Sequence, residues 1–249
     1  MALGIKLARA AIVVAIFALW EALSRSGIVN PRLLPAASDT LAMLGQLLQR
    51  ASVRNDLAVT ASEVLTAFAL AVPFGALVGF LIAENRYFAE VVKPLLFFAF
   101  SIPKSIFLPM FILVFGVGFA QKVGFGFFST IFIVIMSTTT AVEQVKVEYL
   151  TVARSYGATS AQTALRVYLP SMLPVLLEAL RISMIFNLTG VILAEMYASR
   201  DGIGHQIASW GENFQMKQLL AGVVMIATIA IAFNEAVRWV ETRCSHWRI

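Results

Sequence analysis

Two long stretches without a charged side chain constrain what this chain can fold into. Residues Val64 to Ala83 and Val123 to Val142 each run for twenty residues without a lysine, arginine, aspartate or glutamate. In a soluble domain, apolar residues recur at a helical or strand period, with polar residues between them. About twenty consecutive apolar residues are instead the length of a helix that crosses a bilayer. Both stretches therefore predict transmembrane helices.

Four further stretches are nearly as apolar: Leu7 to Ala22, Pro94 to Gly118, Pro170 to Ala194 and Leu219 to Phe233. Arg9 and Glu21 lie near the ends of the first one, where long side chains can reach the membrane interface. The whole chain is 59% hydrophobic and 13% charged, whereas a soluble domain is about one-quarter charged. We predict an all-α membrane protein with six transmembrane helices in a single domain, residues 1–249.

The distribution of lysines and arginines sets the expected orientation. With a cytoplasmic N-terminus the inner segments hold the larger share of these residues, as the positive-inside rule requires. We therefore expect a multi-pass inner-membrane protein with both termini in the cytoplasm. The first stretch also allows a second interpretation, a cleaved signal peptide, because Lys6 and Arg9 precede it and Ala22-x-Ser24 has the form of a cleavage site.

The outer loop from Leu23 to Asp56 contains a predicted amphipathic helix on the membrane surface. Ser38-Asp39-Thr40 offers capping side chains, and leucines recur on one face at positions 41, 44, 47 and 48. The next two connections are short: Glu84 to Glu90 on the inner side and the turn Gly116-Val117-Gly118 on the outer side.

The inner segment from Glu143 to Pro170 is too polar to span the membrane and predicts two short helices. Glu148 to Tyr156 favours the first helix, and Gly157 can adopt the left-handed conformation that ends it. Thr159-Ser160-Ala161-Gln162 has the spacing of a capping box. Pro170 should end the second helix and begin the next membrane helix. We expect a rigid helical elbow on the cytoplasmic face.

This elbow resembles the cytoplasmic signature of ABC importer permeases. The signature begins Glu-Ala-Ala, places a glycine four positions after the last alanine and, after nine more residues, ends in Ile-x-Leu-Pro. This chain has Thr151-Val152-Ala153, Gly157 and Val167-Tyr168-Leu169-Pro170 at the same spacing. It departs from the signature at Thr151, Val152 and Val167.

Further segments resemble the nitrate/sulfonate/taurine branch of these permeases, and the similarity runs from about Asn55 to the end. They are Ile102-Pro103, Leu108-Pro109, Phe115-Gly116-Val117-Gly118, Leu180-Arg181, Ala194-Glu195-Met196, Gly202-Ile203-Gly204 and Glu241-x-Arg243 with Trp247.

The resemblance implies a type I-like permease of six helices, with a coupling helix between helices 4 and 5, that works as a dimer, expected to be a homodimer, in contact with membrane lipid. An ATP-binding subunit would dock on the elbow, through Thr151, Ala153, Gly157, Ala158, Leu169 and Pro170. A periplasmic binding protein would deliver a small anionic or polar solute. The chain has no Gly-x-x-x-x-Gly-Lys-Ser/Thr motif, so ATP and Mg are expected on the partner, and this chain is expected to hold no cofactor and to catalyse no reaction. No nucleic acid is expected as a partner.

Four residues are candidates for the translocation path: Lys104, Asn187, Thr189 and Glu195. Ionisable residues are costly within a bilayer and often mark substrate pathways. Each has an alternative interpretation. Lys104 could reach the interface or pair with another helix, Asn187 and Thr189 could bond between packed helices, and Glu195 could have a structural or gating role.

Two other functional classes would require features that this sequence lacks or shows only weakly. An ion-coupled secondary transporter would show inverted repeats and broken helices; Pro73 and Pro103 hint at breaks, but no repeat is visible. An intramembrane protease would need a base within a span, yet both histidines, His205 and His246, lie outside the predicted spans. The single cysteine, Cys244, excludes an intrachain disulfide and a multi-cysteine metal site.

Overall fold

The structure is a computed structural model that describes residues 2–244. The side chains of residues 2, 3, 6, 10 and 240–244 are outside this description, as are Met1 and residues 245–249. Part of the predicted family resemblance therefore lies outside the described side chains, namely Glu241-x-Arg243 and Trp247.

The described residues form eleven α-helices joined by short turns. They are α1 (Ala2–Arg25), α2 (Ala37–Gln49), α3 (Ala51–Glu84), α4 (Arg86–Ser101), α5 (Leu108–Phe115), α6 (Phe119–Glu143), α7 (Val147–Ser155), α8 (Ser160–Thr163), α9 (Leu169–Tyr197), α10 (Ile203–Glu212) and α11 (Met216–Cys244). A 3-10 turn over Lys104–Phe107 precedes α5, and a π turn over Ala164–Tyr168 joins α8 to α9.

The predicted count of six membrane-length helices is confirmed, with one change of shape. Five helices of the described part are long and apolar enough to cross a membrane: Leu7–Arg25, Ala51–Glu84, Phe119–Glu143, Ser160–Tyr197 and Met216–Trp239. The sixth is the pair α4 and α5, which together pass the same test but bend by 78°.

The bend in the third span lies at Pro103, which the sequence indicated as a possible break within the apolar stretch from Pro94 to Gly118. Ile102, before the proline, is in an extended conformation with ψ 128°. A residue before proline is pushed out of the helical region by the pyrrolidine ring, and proline itself has no N–H to donate. The helix therefore ends at Ser101 and restarts through the 3-10 turn.

Close contact between α3, α6 and α9 forms the centre of the bundle. Gly75 and Gly79 of α3 lie so close to α6 that an added Cβ would be 2.9 Å from Val134 Cβ or 2.6 Å from the Ile135 carbonyl oxygen. The Thr139 hydroxyl of α6 donates to the Gly79 carbonyl at 3.2 Å. Small residues allow this approach, which is the usual packing of membrane helices.

The bundle has two distinct ends. At one end, which we call the elbow end, Phe80 near the end of α3 contacts Tyr168, and Lys93 of α4 pairs with Glu143 of α6. At the other end, Lys122 of α6 pairs with Asp201, in the turn between α9 and α10. Because α4 starts at the elbow end and α5 leads to the other end, the bent pair crosses the bundle.

The amphipathic helix in the first loop is present as α2, but the predicted cap at Ser38 is wrong. The helix follows Ala36, without a side-chain cap, because Glu21 of α1 accepts hydrogen bonds from the Ser38 N–H at 3.0 Å and its hydroxyl at 2.8 Å. Leu47 is fully buried in a cluster with Ile203, Trp210 and others. The helix that follows begins at Ala51, so Asp56 belongs to α3 and not to the loop.

Candidate functional site: the elbow and a buried polar network

The elbow begins with α7, whose end is fixed by backbone geometry. The Gly157 N–H donates to the Arg154 carbonyl at 2.9 Å and the Ala158 N–H to the Ala153 carbonyl at 3.0 Å. This pair of bonds is a Schellman ending, which places the residue after the cap in the left-handed region. Gly157 has φ +70° and no atom within 4 Å of an added Cβ. Glycine is favoured here because of the positive φ, and not because a larger side chain would lack space.

The second part of the elbow opens with the predicted capping box. The Thr159 hydroxyl accepts a hydrogen bond from the Gln162 N–H at 3.2 Å. In return the Thr159 N–H donates to the Gln162 side-chain oxygen at 2.9 Å. Two N–H groups that a helix start leaves free are thus satisfied locally, and α8 starts at a defined residue.

The prediction that Pro170 ends the second elbow helix is wrong. α8, the π turn and α9 form one continuous helix, Ser160–Tyr197. The Leu169 N–H donates to the Ala164 carbonyl, a bond across five residues. Pro170 lies in the first turn of α9, and since it has no N–H, it removes an α-helical bond at this place. The wider π turn carries the chain past the proline without a break.

One side of the elbow is seated on the bundle and the other side is exposed. Leu150 and Val167 pack on a buried cluster that includes Val145 and Met172. Of the six predicted coupling residues, Thr151, Gly157 and Leu169 are exposed, whereas Ala153, Ala158 and Pro170 are partly buried. Three large apolar side chains also face outward, namely Val152, Tyr156 and Leu165.

At the opposite end, a buried ion pair joins α3 to α6. Lys122 Nζ lies 2.5 Å from Glu63 Oε1, and each side chain is 1% exposed. The same Nζ lies 2.7 Å from the Asp201 carboxylate and 3.1 Å from the Ser199 hydroxyl. Lys122 therefore links two membrane helices to the turn that precedes α10.

A second set of hydrogen bonds caps α10 from neighbouring helices, because Gly202 at its N-cap has no side chain. Glu195 of α9 accepts from the Gly204 N–H at 2.7 Å and from the Thr60 hydroxyl at 2.6 Å. Thr60 of α3 accepts in turn from the Ile203 N–H at 2.9 Å. Asp56 of α3 accepts from the Gly202 N–H at 3.1 Å. Carboxylates at a helix N-terminus stabilise it through its dipole.

This arrangement explains the Gly202-Ile203-Gly204 motif. Gly202 has φ +97°, and an added Cβ would overlap the Glu195 carboxylate. A Cβ at Gly204 would lie 2.8 Å from Glu195 Cβ and 2.8 Å from the Ile192 carbonyl oxygen. Both glycines let the backbone of α10 approach Glu195 closely enough for hydrogen bonding.

The network reaches the surface at Asp201, whose side chain is 56% exposed. The hydrogen bond from Lys122 holds the pKa of the Asp201 carboxyl below its usual value, because a neighbouring cation favours the charged form. Among the side chains that the structure describes, no group of three or more histidine, cysteine, aspartate or glutamate residues is arranged to hold a metal ion. The network is therefore a set of ion pairs and caps.

The ion pair between Glu63 and Lys122 was not predicted from the sequence. A signal was nevertheless present: Glu63 directly precedes the uncharged stretch at Val64, and Lys122 directly precedes the one at Val123. Both stretches start at the same end of the bundle, so the two opposite charges lie at the same level. Pairing them required the knowledge that α3 and α6 are neighbours.

The four predicted path residues are divided between core and surface. Asn187 and Glu195 are completely buried, and Asn187 Nδ2 donates to the Val64 carbonyl at 2.7 Å. Lys104 is half-buried, with Nζ 3.0 Å from the Phe100 carbonyl oxygen and 4.2 Å from the ring centre. Thr189 is exposed.

Aromatic contacts connect Lys104 to the helix that carries Thr189. The Phe100 ring next to Lys104 lies 5.8 Å from the Phe186 ring of α9, and Phe186 and Thr189 are three residues apart on one helix face.

The helical bundle has the fold of an ABC importer permease. The MetNI methionine ABC transporter, in inward-facing conformations, contains a chain that superposes with a TM-score of 0.64 at 19% sequence identity, over 82% of this chain and 98% of that one. At this identity the likeness concerns the fold.

The family is established by sequence. A model of the family described as binding-protein-dependent transport system inner membrane component matches residues 71–246. The chain belongs to this family.

Individual relatives match nearly the whole chain. The taurine transport system permease protein TauC of Escherichia coli (strain K12) is 27% identical over 233 residues, which cover 92% of this chain and 85% of TauC. The putative aliphatic sulfonates transport permease protein SsuC of Bacillus subtilis (strain 168) is 24% identical over 94% of this chain and 84% of its own. The formylaminopyrimidine transport permease protein ThiX of Halalkalibacterium halodurans is 26% identical over 92% of this chain and 91% of its own. The resemblance to the nitrate/sulfonate/taurine branch is confirmed.

Proposed function

We propose that this chain is the permease subunit of an ATP-driven importer that moves a small anionic or polar solute of the nitrate, sulfonate or taurine type. The observation that carries the proposal is the near full-length similarity to the taurine and sulfonate permeases. A periplasmic binding protein would deliver the solute, in keeping with the description of the family. The relatives give no support to an ion-coupled secondary transporter.

The elbow is the proposed docking element for a separate ATP-binding subunit, which would hold ATP and Mg. Its Thr151, Gly157 and Leu169 are exposed, as are the apolar side chains Val152 and Tyr156. The short helix α7 is tied to the bundle on its opposite side through Leu150. A surface that is apolar outside and anchored inside suits the transmission of a movement from a partner.

The proposed translocation path follows the face between the bent pair and α9. Lys104 and Thr189 have accessible surface, and the ammonium group of Lys104 would attract an anion. Asn187 and Glu195 stay candidates only for an indirect role, since both are enclosed by α3, α9 and α10 in the isolated chain. A second copy of the chain would complete the path in a homodimer within the lipid bilayer.

Co-purification and reconstitution test the proposal. The tagged chain, expressed in its native host, should bring down an ATP-binding subunit. The complex in liposomes should hydrolyse ATP faster with a soluble binding protein and one of its ligands, and it should take up that ligand. Taurine, an alkanesulfonate and nitrate are the first solutes to compare, with a hydrolysis-deficient ATPase subunit as the control. Uptake driven by an ion gradient without ATP would contradict the proposal.

A further inference from the structure

The two ends of the bundle carry the same helix ending, built with different residues. At the elbow end, Gly157 closes α7. At the other end, the Phe214 N–H donates to the Gly211 carbonyl at 3.1 Å and the Gln215 N–H to the Trp210 carbonyl at 2.8 Å, which closes α10 in the same pattern. Phe214 therefore takes the position that glycine usually fills, with φ +54°. A residue with a Cβ is strained in this conformation.

No packing of the Phe214 side chain offsets this strain. The residue is 76% exposed. Its neighbours Glu212, Asn213 and Gln215 are exposed as well, so the ring lies in a turn of exposed polar residues. Strained non-glycine residues concentrate at functional positions, and a ring that is strained, exposed and set among polar groups points to a contact with another molecule.

The helix that precedes Phe214, α10, is held firmly by its neighbours. Ile207 and Trp210 of α10 are buried in the cluster that also contains Leu47. The first turn of α10 is fixed to α3 and α9 through Thr60 and Glu195. A backbone that is fixed before binding loses little freedom when a partner binds, which favours affinity.

We propose that Phe214 is a docking contact for the soluble protein that delivers the substrate, with the ring inserted into an apolar recess on that protein. The proposal rests on the proposed function, which requires such a protein at the end of the bundle opposite the elbow. The exposed Glu212 beside the ring favours a recess whose rim is polar or cationic. Aromatic side chains in recesses are common anchors of protein interfaces.

Replacement of Phe214 by glycine tests this without harm to the fold, since glycine is the favoured residue at this position. In the reconstituted complex, the binding protein that stimulates the wild type is titrated and ATP hydrolysis is measured. For F214G the half-saturating concentration should rise about tenfold or more, as expected for the loss of an interface anchor. Basal hydrolysis should not change, and the melting temperature should stay equal or rise. The matched control Gln215→Ala, on the adjacent exposed residue, should leave the half-saturating concentration within about twofold.

Three outcomes are distinguishable. If the wild-type complex responds to the binding protein and F214G responds equally well, the docking contact is excluded. If no binding protein stimulates the wild type, the proposed function fails, and the docking contact with it. The third outcome is a membrane anchor, which a spin label at Phe214→Cys in a Cys244→Ser background detects. We expect stronger relaxation by a water-soluble nickel complex than by oxygen, and the reverse order would overturn the proposal.

Discussion

Lys122 joins three helices or turns at the end of the bundle opposite the elbow, through Glu63, Asp201 and Ser199. Its ammonium group faces Glu63 and Asp201 and is 1% exposed. The loss of hydration of two such buried charges can cost as much as their mutual attraction returns, or more. The loss of one partner is costly, because the remaining charge stays buried without compensation.

Lys122→Met should therefore destabilise the folded chain by about 3–5 kcal/mol. The reason is that Glu63, likewise buried, loses its cation. Thermal unfolding of the purified protein in detergent, followed by tryptophan fluorescence, would show this as a lower melting temperature.

The control for this prediction is Lys93→Met, which removes the partly exposed pair with Glu143 and should cost at most about 1 kcal/mol. Addition of Glu63→Gln to Lys122→Met should recover part of the stability, since the uncompensated carboxylate is then gone. If the double variant is less stable than Lys122→Met alone, the buried pair is not the cause.

Local spacing predicted individual residues well where one segment decides the outcome. Gly157 and the Thr159 capping box are examples, since both partners of each hydrogen bond lie within six residues of each other. Ser38 shows the limit. Its N–H is capped by Glu21, which is 17 residues away, so no local pattern could reveal that the predicted cap was unnecessary.

At the scale of elements, the elbow is a pair of helices joined by the single left-handed residue Gly157. A β-branched side chain in this conformation is strained by about 1–3 kcal/mol. The turn has open space around it, so the strain can be relieved only by a change in the angle between the two helices. That angle sets the shape of the exposed surface.

Gly157→Val should thus abolish binding-protein-stimulated ATP hydrolysis and uptake, while the protein reaches the membrane in normal amount. Co-purification of the ATP-binding subunit should be weak or lost. Each quantity is measured on the same membrane preparation, so that insertion and assembly are separated.

Gly27→Val is the matched control. Gly27 has φ +73° and also has open space around an added Cβ, but it lies between α1 and α2, away from the elbow. It should show the same local strain with normal assembly. Wild-type stimulation in Gly157→Val would mean that the elbow is not the coupling element.

The elements that the sequence misjudged are those whose limits are set by neighbours. The 78° bend between α4 and α5 follows from Pro103, which the sequence showed only as a possible break. The extension of α3 back to Ala51 includes Asp56, which the sequence placed at the end of a loop but which accepts a hydrogen bond from the start of α10. Glu63, before the uncharged stretch, is paired by Lys122 of α6. Hydropathy alone cannot register a charge that is neutralised by another helix.

On the scale of the whole molecule, the number of crossings decides whether the two termini lie on the same side of the membrane. The bent pair leads from the elbow end to the opposite end, so six spans return the chain to its starting side. We expect that side to be the cytoplasm, on the basis of the distribution of lysines and arginines.

Reporter fusions test this topology. A reporter that is active only in the cytoplasm should work after Ser160 and after Ile249, and one that is active only in the periplasm should work after Val117. The Val117 fusion serves as the internal control for the bent pair. Cytoplasmic activity at Val117 together with periplasmic activity at Ser160 would contradict this topology, through either a reversed orientation or a bent pair that does not cross.

The continuous helix from Ser160 to Tyr197 extends from the elbow to the opposite end of the bundle. Its 38 residues extend about 57 Å at a rise of ~1.5 Å each, roughly twice the thickness of the hydrocarbon layer. It begins at the capped turn beside Gly157, and Glu195 lies near its other end. A tilt of about 10° at the Ser160 end would displace the Tyr197 end by about 10 Å over this length. A small rotation at one face of the membrane would thus become a movement as large as a small solute at the other face.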